Sequence, residues 1–179
     1  HIADGTTLET QKSTAANKTT TLTQNISLSG NATISTNDAE NITQITSTIS
    51  SRDYTDPNTG KVIVGALTKD GAGTLSLTAD NSFGAGTTTT IKEGTLAISR
   101  EKSLGASTEI KIENGATLKT NQDVTIKQKV IIADGDTAKI DTGGKNSTLS
   151  GQIIKDSGGV IGGTLEKIDR KSTRLNSSH

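Results

Sequence analysis

Three carboxylates, Asp134, Asp136 and Asp141, fall within the stretch Asp134-Gly-Asp-Thr-Ala-Lys-Ile-Asp141 and raise the question of acid–base or metal chemistry. Two carboxyl groups flanking a glycosidic bond are what a glycosidase requires, and oxygen ligands at alternating positions suit Ca2+. The surrounding residues support neither well. Ala138 stands where another oxygen ligand would be wanted, and the third acidic ligand and following glycine of a helix–loop–helix calcium site are missing. With no Trp, one Tyr (Tyr54) and four Arg, little is available to stack or clamp an acidic sugar. Solvated surface carboxylates are therefore the expected state, and a carbohydrate-active enzyme of the polysaccharide lyase or glycosidase kind is the alternative.

Histidine occurs only at His1 and His179 and cysteine is absent, which removes Ser/His/Asp triads, thiolate nucleophiles and His/Cys metal sites. Gly71-Ala72-Gly73 is not followed by the Lys-Ser/Thr pair and helix of a phosphate loop. "GAGTLSLT" has Leu75 where the nonapeptide calcium roll needs aspartate. The run Thr87–Thr90 could start a flat ice-binding face, but Glu109, Lys111, Lys127 and Lys129 follow on the neighbouring segments and interrupt it. Its 19 basic and 19 acidic residues cancel, which argues against nucleic-acid binding. No catalytic, cofactor-binding or metal-ligating residue is assigned, and no cofactor is expected.

What the chain does specify is a scaffold. Threonine is its commonest residue, with 32 copies, and 24 of its 37 Leu, Ile, Val and Phe residues are Ile or Val, a bias toward extended backbone. Gly73, Gly94, Gly115 and Gly135 recur at steps of 21, 21 and 20 residues, with Gly158 after 23 more. Each of the middle three follows a turn residue, Glu93, Asn114 or Asp134, where glycine can supply a corner. After the corners come short segments of period two that point Leu75 and Leu77, then Leu96 and Ile98, then Leu118, then Ile140 to one side. Thr74, Ser76, Thr95 and Ala97 point to the other.

Fixed pitch plus alternation predicts a β-solenoid of about 20–23 residues per coil, in which Leu75 stacks on Leu96 and Leu77 on Ile98. Eight coils at about 4.8 Å would make a rod on the order of 40 Å long. Residues 1–66 read as irregular coils, because alternation persists there but the glycine pitch does not, with a projecting loop at 50–60. Residues 67–168 read as regular coils and 169–179 as a polar tail that departs from the pattern, either a disordered native end or a non-native join. "IADGTTLET" at 2–10 echoes "IENGATLKT" at 112–120, and residues 100–106 read as a corner holding Leu104 inward. The chain begins at His1, not at a methionine, and reads as an internal piece of a longer protein. No apolar run approaches the length of a membrane helix, so direct membrane insertion of this segment is not expected.

Residues 67–99 resemble the passenger-associated repeat of bacterial autotransporters. The matching positions include Lys69, Gly71, Gly73, Leu75, Leu77, Asn81, Gly86, Ile91, Gly94, Leu96 and Ile98, whereas Ser82, Phe83 and Ala85 depart from the usual phrase. The block 140–153 is similar to the segment that precedes such repeats. The resemblance implies a right-handed parallel β-helix, exported through a C-terminal outer-membrane barrel to the Gram-negative cell surface or beyond. It implies a non-enzymatic stalk or adhesin that supports passenger folding and export. A host-surface glycan or matrix protein, or self-association, is the expected partnership.

Overall fold

A computed structural model describes residues 1–10, 18–82, 84–156 and 163–168, and the backbone of 174–175. Gly158, Phe83 and most of the 169–179 tail lie outside the described residues. The strands are short because each ends where a corner turns the chain onto the next face. Among the described residues twelve glycines have positive φ, including the corner residues Gly71, Gly94, Gly115 and Gly135.

Two seven-stranded parallel sheets run the length of the molecule. The first joins Thr7–Thr10, Asn31–Thr36, Ala66–Asp70, Thr88–Ile91, Glu109–Ile112, Lys129–Ile132 and Ile153–Lys155. The second joins Thr19–Leu22, Ile42–Ile45, Thr74–Leu77, Thr95–Ile98, Thr117–Thr120, Thr137–Asp141 and Thr164–Lys167. One strand from each makes a coil, and the coils are numbered 1 to 7 in chain order below. A third, broken face closes the coil through the paired strands Ile26–Ser29 and Ile49–Arg52 and, further along the stack, Thr125–Ile126, Thr148–Leu149 and Arg174–Leu175. The molecule is an all-β solenoid of parallel strands.

The expected columns are present. Leu75 is in register with Leu96 and Leu77 with Ile98; Leu96 continues onto Leu118 and Leu118 onto Ile140. Leu75, Leu96 and Leu118 are wholly buried. In the first sheet Thr89, Ile110, Val130 and Ile153 form one interior column, and Ile34, Lys69, Ile91 and Ile112 another. The core is a set of one-residue-wide aliphatic rows, which is why a chain almost without aromatics can fill it.

Several expectations are revised. Among the described residues each main sheet has seven strands, where eight coils were expected, giving six parallel steps and a stack about 29 Å long. The segment expected as a loop at 50–60 starts inside the strand Ile49–Arg52; what projects is an antiparallel hairpin in which Tyr54 pairs with Ile63 and Thr55 with Val62. The echoing phrases land on different faces: Thr7–Thr10 lies in the first sheet and Thr117–Thr120 in the second. The shared pattern encodes strand, glycine corner, strand, and does not encode which side of the coil they occupy. Asn31–Thr36 and Ile42–Ile45 stack in the same two sheets as later coils without the glycine pitch. The 100–106 corner is as expected, a short 3-10 turn at Glu101–Leu104 with Leu104 buried.

Candidate functional site

The outer face of the second sheet carries a surface concavity. In coils 2 to 5 its outward rows are Ile42, Thr74, Thr95 and Thr117 on one side and Gln44, Ser76, Ala97 and Lys119 beside them. Ser76 and Ala97 point away from the core, yet are only 7% and 2% exposed. They are small, and longer side chains flank them: the Asn121 amide reaches the Ser76 hydroxyl at 3.3 Å, and Lys119 is in register with Ala97 on the next coil. The result is a trough of about 430 Å3 with Ser76 and Ala97 in its floor and Thr74, Thr78, Ser99, Gln44 and Ile42 around it.

Its chemistry is that of hydroxyls and amides with one apolar edge, Ile42, 39% exposed. The ammonium of Lys119 pairs with Asp141 at 2.7 Å, so the trough presents little net charge. Such a surface can accept and donate hydrogen bonds to a neutral polyhydroxylated or amide chain.

The sequence-level carboxylates do not converge on this trough as a set. Asp134 sits in the corner before Thr137–Asp141 and pairs with Lys155 of the next coil. Asp136 lies in the same corner, its backbone amide bonded to the Ala133 carbonyl. Asp141 is at the far end of that strand, where it holds Lys119 and also accepts the Gly143 amide at 2.8 Å. Among the described residues no three acidic, histidine or cysteine side chains gather as a metal site. Thr88 and Thr90 point outward, but Thr89 is buried against Ser107 at 2.8 Å, so the threonine run serves two faces. Outward from Thr90 the next residue in register is Lys111, which ends the row of threonines.

The projecting hairpin is the second prominent surface feature. Asp56 organises its tip, accepting the Thr59 hydroxyl at 2.6 Å and the Asn58 amide at 2.9 Å; these bonds, the first above all, hold its carboxyl below the usual range. Val62 is 54% exposed on the returning strand.

Sequence reasoning did not identify the trough. It assigned Ser76 and Ala97 to the outer face, but burial of outward residues depends on the length of side chains one and two coils away, and the signal is a pair of small residues at equal positions of successive repeats.

Residues 67–98 match the family model described as passenger-associated-transport-repeat. No curated protein and no solved structure matches the chain. The matched residues supply both strands of coil 3 and both of coil 4, the two coils at whose joint Ser76 and Ala97 meet. Among the described residues no helix is long and apolar enough to cross a membrane.

Proposed function

We propose that this chain is a non-enzymatic stalk and adhesive segment of an autotransporter passenger, held at the surface of a Gram-negative bacterium or released from it. The observation that carries this reading is the coincidence of the matched repeat with two consecutive coils of a parallel stack, in register through both main sheets. Such a stack extends by repetition and needs no ligand to hold it together. The reading also implies an outer-membrane barrel in the parent protein, through which the segment passes before it stacks.

The trough over Ser76 and Ala97 is the contact surface for a host-surface glycan or matrix protein, with the hairpin of Tyr54 and Val62 held clear of the rod. The pairing of Asp134 with Lys155 and of Asp141 with Lys119 supports a structural use of these carboxylates over a lyase or glycosidase one. The test is binding of the purified chain to immobilised neutral and acidic glycans and to matrix proteins, beside Ala97→Trp, which fills the trough from its floor. Saturable binding that Ala97→Trp removes is the expected result. Binding equal in both proteins overturns the assignment of the trough. Release of reducing or unsaturated sugar ends, lost in Asp134→Asn, overturns the non-enzymatic reading.

A further inference from the structure

Lys69 interrupts a column of isoleucines. It stands in register between Ile34 of coil 2 and Ile91 of coil 4, and its side chain is wholly buried. A lysine there is anomalous on hydrophobic grounds, because an ammonium withdrawn from water is costly unless its donors are all satisfied. They are: Nζ donates to the carbonyl oxygens of Asp70 at 2.7 Å, Gly71 at 2.5 Å and Glu93 at 3.0 Å. Two of those oxygens belong to the corner of coil 3 and one to the corner of coil 4.

The corners are packed too tightly for side chains of their own. A Cβ on Gly94 would come within 2.4 Å of the Gly73 oxygen and 2.5 Å of the Gly71 oxygen, and one on Gly73 within 2.4 Å of the Asp38 oxygen in the corner below. Glycine therefore lets three successive corners lie on one another, and the same bareness leaves their inward carbonyls without side-chain donors. In coil 5 the equivalent corner carries Ala116, buried, and the column residue is an ordinary isoleucine, Ile112. Coil 3 has Gly73 in place of the alanine and lysine in place of the isoleucine.

We propose that Lys69 is a chain-borne internal cation that locks the glycine corner of coil 3 onto that of coil 4, fixing their register by serving as the shared donor for three inward carbonyls. A slip of two residues between Ala66–Asp70 and Thr88–Ile91 preserves the inside–outside alternation and leaves the aliphatic column intact, so burial alone does not forbid it. The slip is forbidden by the ammonium, which would lose the Glu93 oxygen. Lys69, Gly71, Gly73 and Gly94, scattered in sequence, thus form one device.

The charged neighbours of the ammonium are Asp70 and Glu93 from the two corners, which favour the protonated form, while burial, the larger effect, opposes it and brings the Lys69 pKa down to about 8. Asp38 contributes its backbone oxygen to the corner below. The sign follows from linkage. Between about pH 8 and 10.5 the unfolded chain holds a proton that the folded chain has released, so stability rises with pH across that window. The charge specifies register at a cost in stability, and the neutral amine still donates hydrogen bonds.

Two measurements test this. In the wild-type chain, 15N spectra of the Lys69 side chain below pH 8 should show slowly exchanging Nζ protons and an amine titrating near 8; fast exchange with an ordinary lysine titration overturns the proposal. In Lys69→Met, amide exchange at Lys92 and Thr95, whose bonds join coil 4 to coil 3, should accelerate about tenfold or more while Val130 is unchanged. No acceleration, or a uniform acceleration at all these sites, overturns it. A Lys69→Met chain that fails to fold leaves the wild-type spectra to decide. Where it folds, the wild-type unfolding constant should fall by up to about 300-fold more than the variant's on going from pH 7.5 to above 10.5, the reverse trend contradicting the burial of Lys69.

Discussion

Replacing Leu96 with alanine removes three carbons from the middle of a column. Leu96 is fully buried, with Leu75 beneath it and Leu118 above. A Leu→Ala substitution in a core costs about 2–5 kcal/mol, the spread reflecting how far the surroundings collapse into the gap. Collapse is restricted here. The neighbouring leucines are spaced by a hydrogen-bonded backbone ladder whose strand separation is about 4.8 Å, and they cannot descend into the vacancy without breaking it. The cost should therefore fall in the upper half of the range, about 3.5–5 kcal/mol. Thr95→Ala, one residue away and pointing outward, is the control, with an expected change within about 0.5 kcal/mol. Urea unfolding followed by far-ultraviolet circular dichroism reports both, with equal slopes for variant and parent as the condition for comparing midpoints. If Leu96→Ala and Thr95→Ala differ by less than about 1 kcal/mol, Leu96 does not occupy an interior column.

The remaining expectations concern the corners and surface. Gly94→Ala should destabilise severely, because the added methyl meets two carbonyl oxygens under 2.6 Å at a φ of +65°, whereas Gly115→Ala, with φ of +78° and open space around it, should cost only about 1 kcal/mol in thermal or urea unfolding. Asn81 ties three coils together, accepting the Ile49 amide at 2.8 Å and donating to the Ser103 carbonyl at 2.6 Å. Asn81→Ala should cost about 2–4 kcal/mol through the buried groups it orphans, read as faster exchange of the Ile49 amide. The surface ion pairs between coils, such as Lys111 with Asp156 at 2.7 Å and Lys129 with Glu109 at 3.6 Å, should matter little. Double-mutant cycles should give at most about 1 kcal/mol for each pair, diminishing in high salt.

The columns were legible because stacking makes sequence period and spatial register the same thing: Leu75 and Leu96 are 21 residues apart and lie in register. The corner at Leu104 was legible for a related reason, an isolated leucine among charged residues having few other places to go. Coil 2 was harder. Its column position is Thr43, in register with Leu75, and the hydroxyl is accommodated by bonds to Thr10 at 2.7 Å and Thr36 at 3.0 Å. A threonine pattern gives no sign in advance of whether its hydroxyls face water or one another. Lys69 illustrates the same limit more sharply. Alternation places it inward beside Leu67, but charge argues it outward, and only the three carbonyls supplied by residues one, two and 24 positions away resolve the conflict. Trough and hairpin depended on side-chain length and local strand pairing, which a search for repeats does not weigh.

Methyl-resolved nuclear Overhauser spectroscopy on the intact chain addresses the stacking directly. Leu75, Leu96, Leu118 and Ile140 should form a chain of contacts in which each methyl group sees its neighbours one coil away, and in which no close contacts between opposing α-protons join the strands of the two main sheets. Absence of the Leu75–Leu96 contact, or α-proton contacts diagnostic of antiparallel pairing between Thr74–Leu77 and Thr95–Ile98, would contradict the stacked coil.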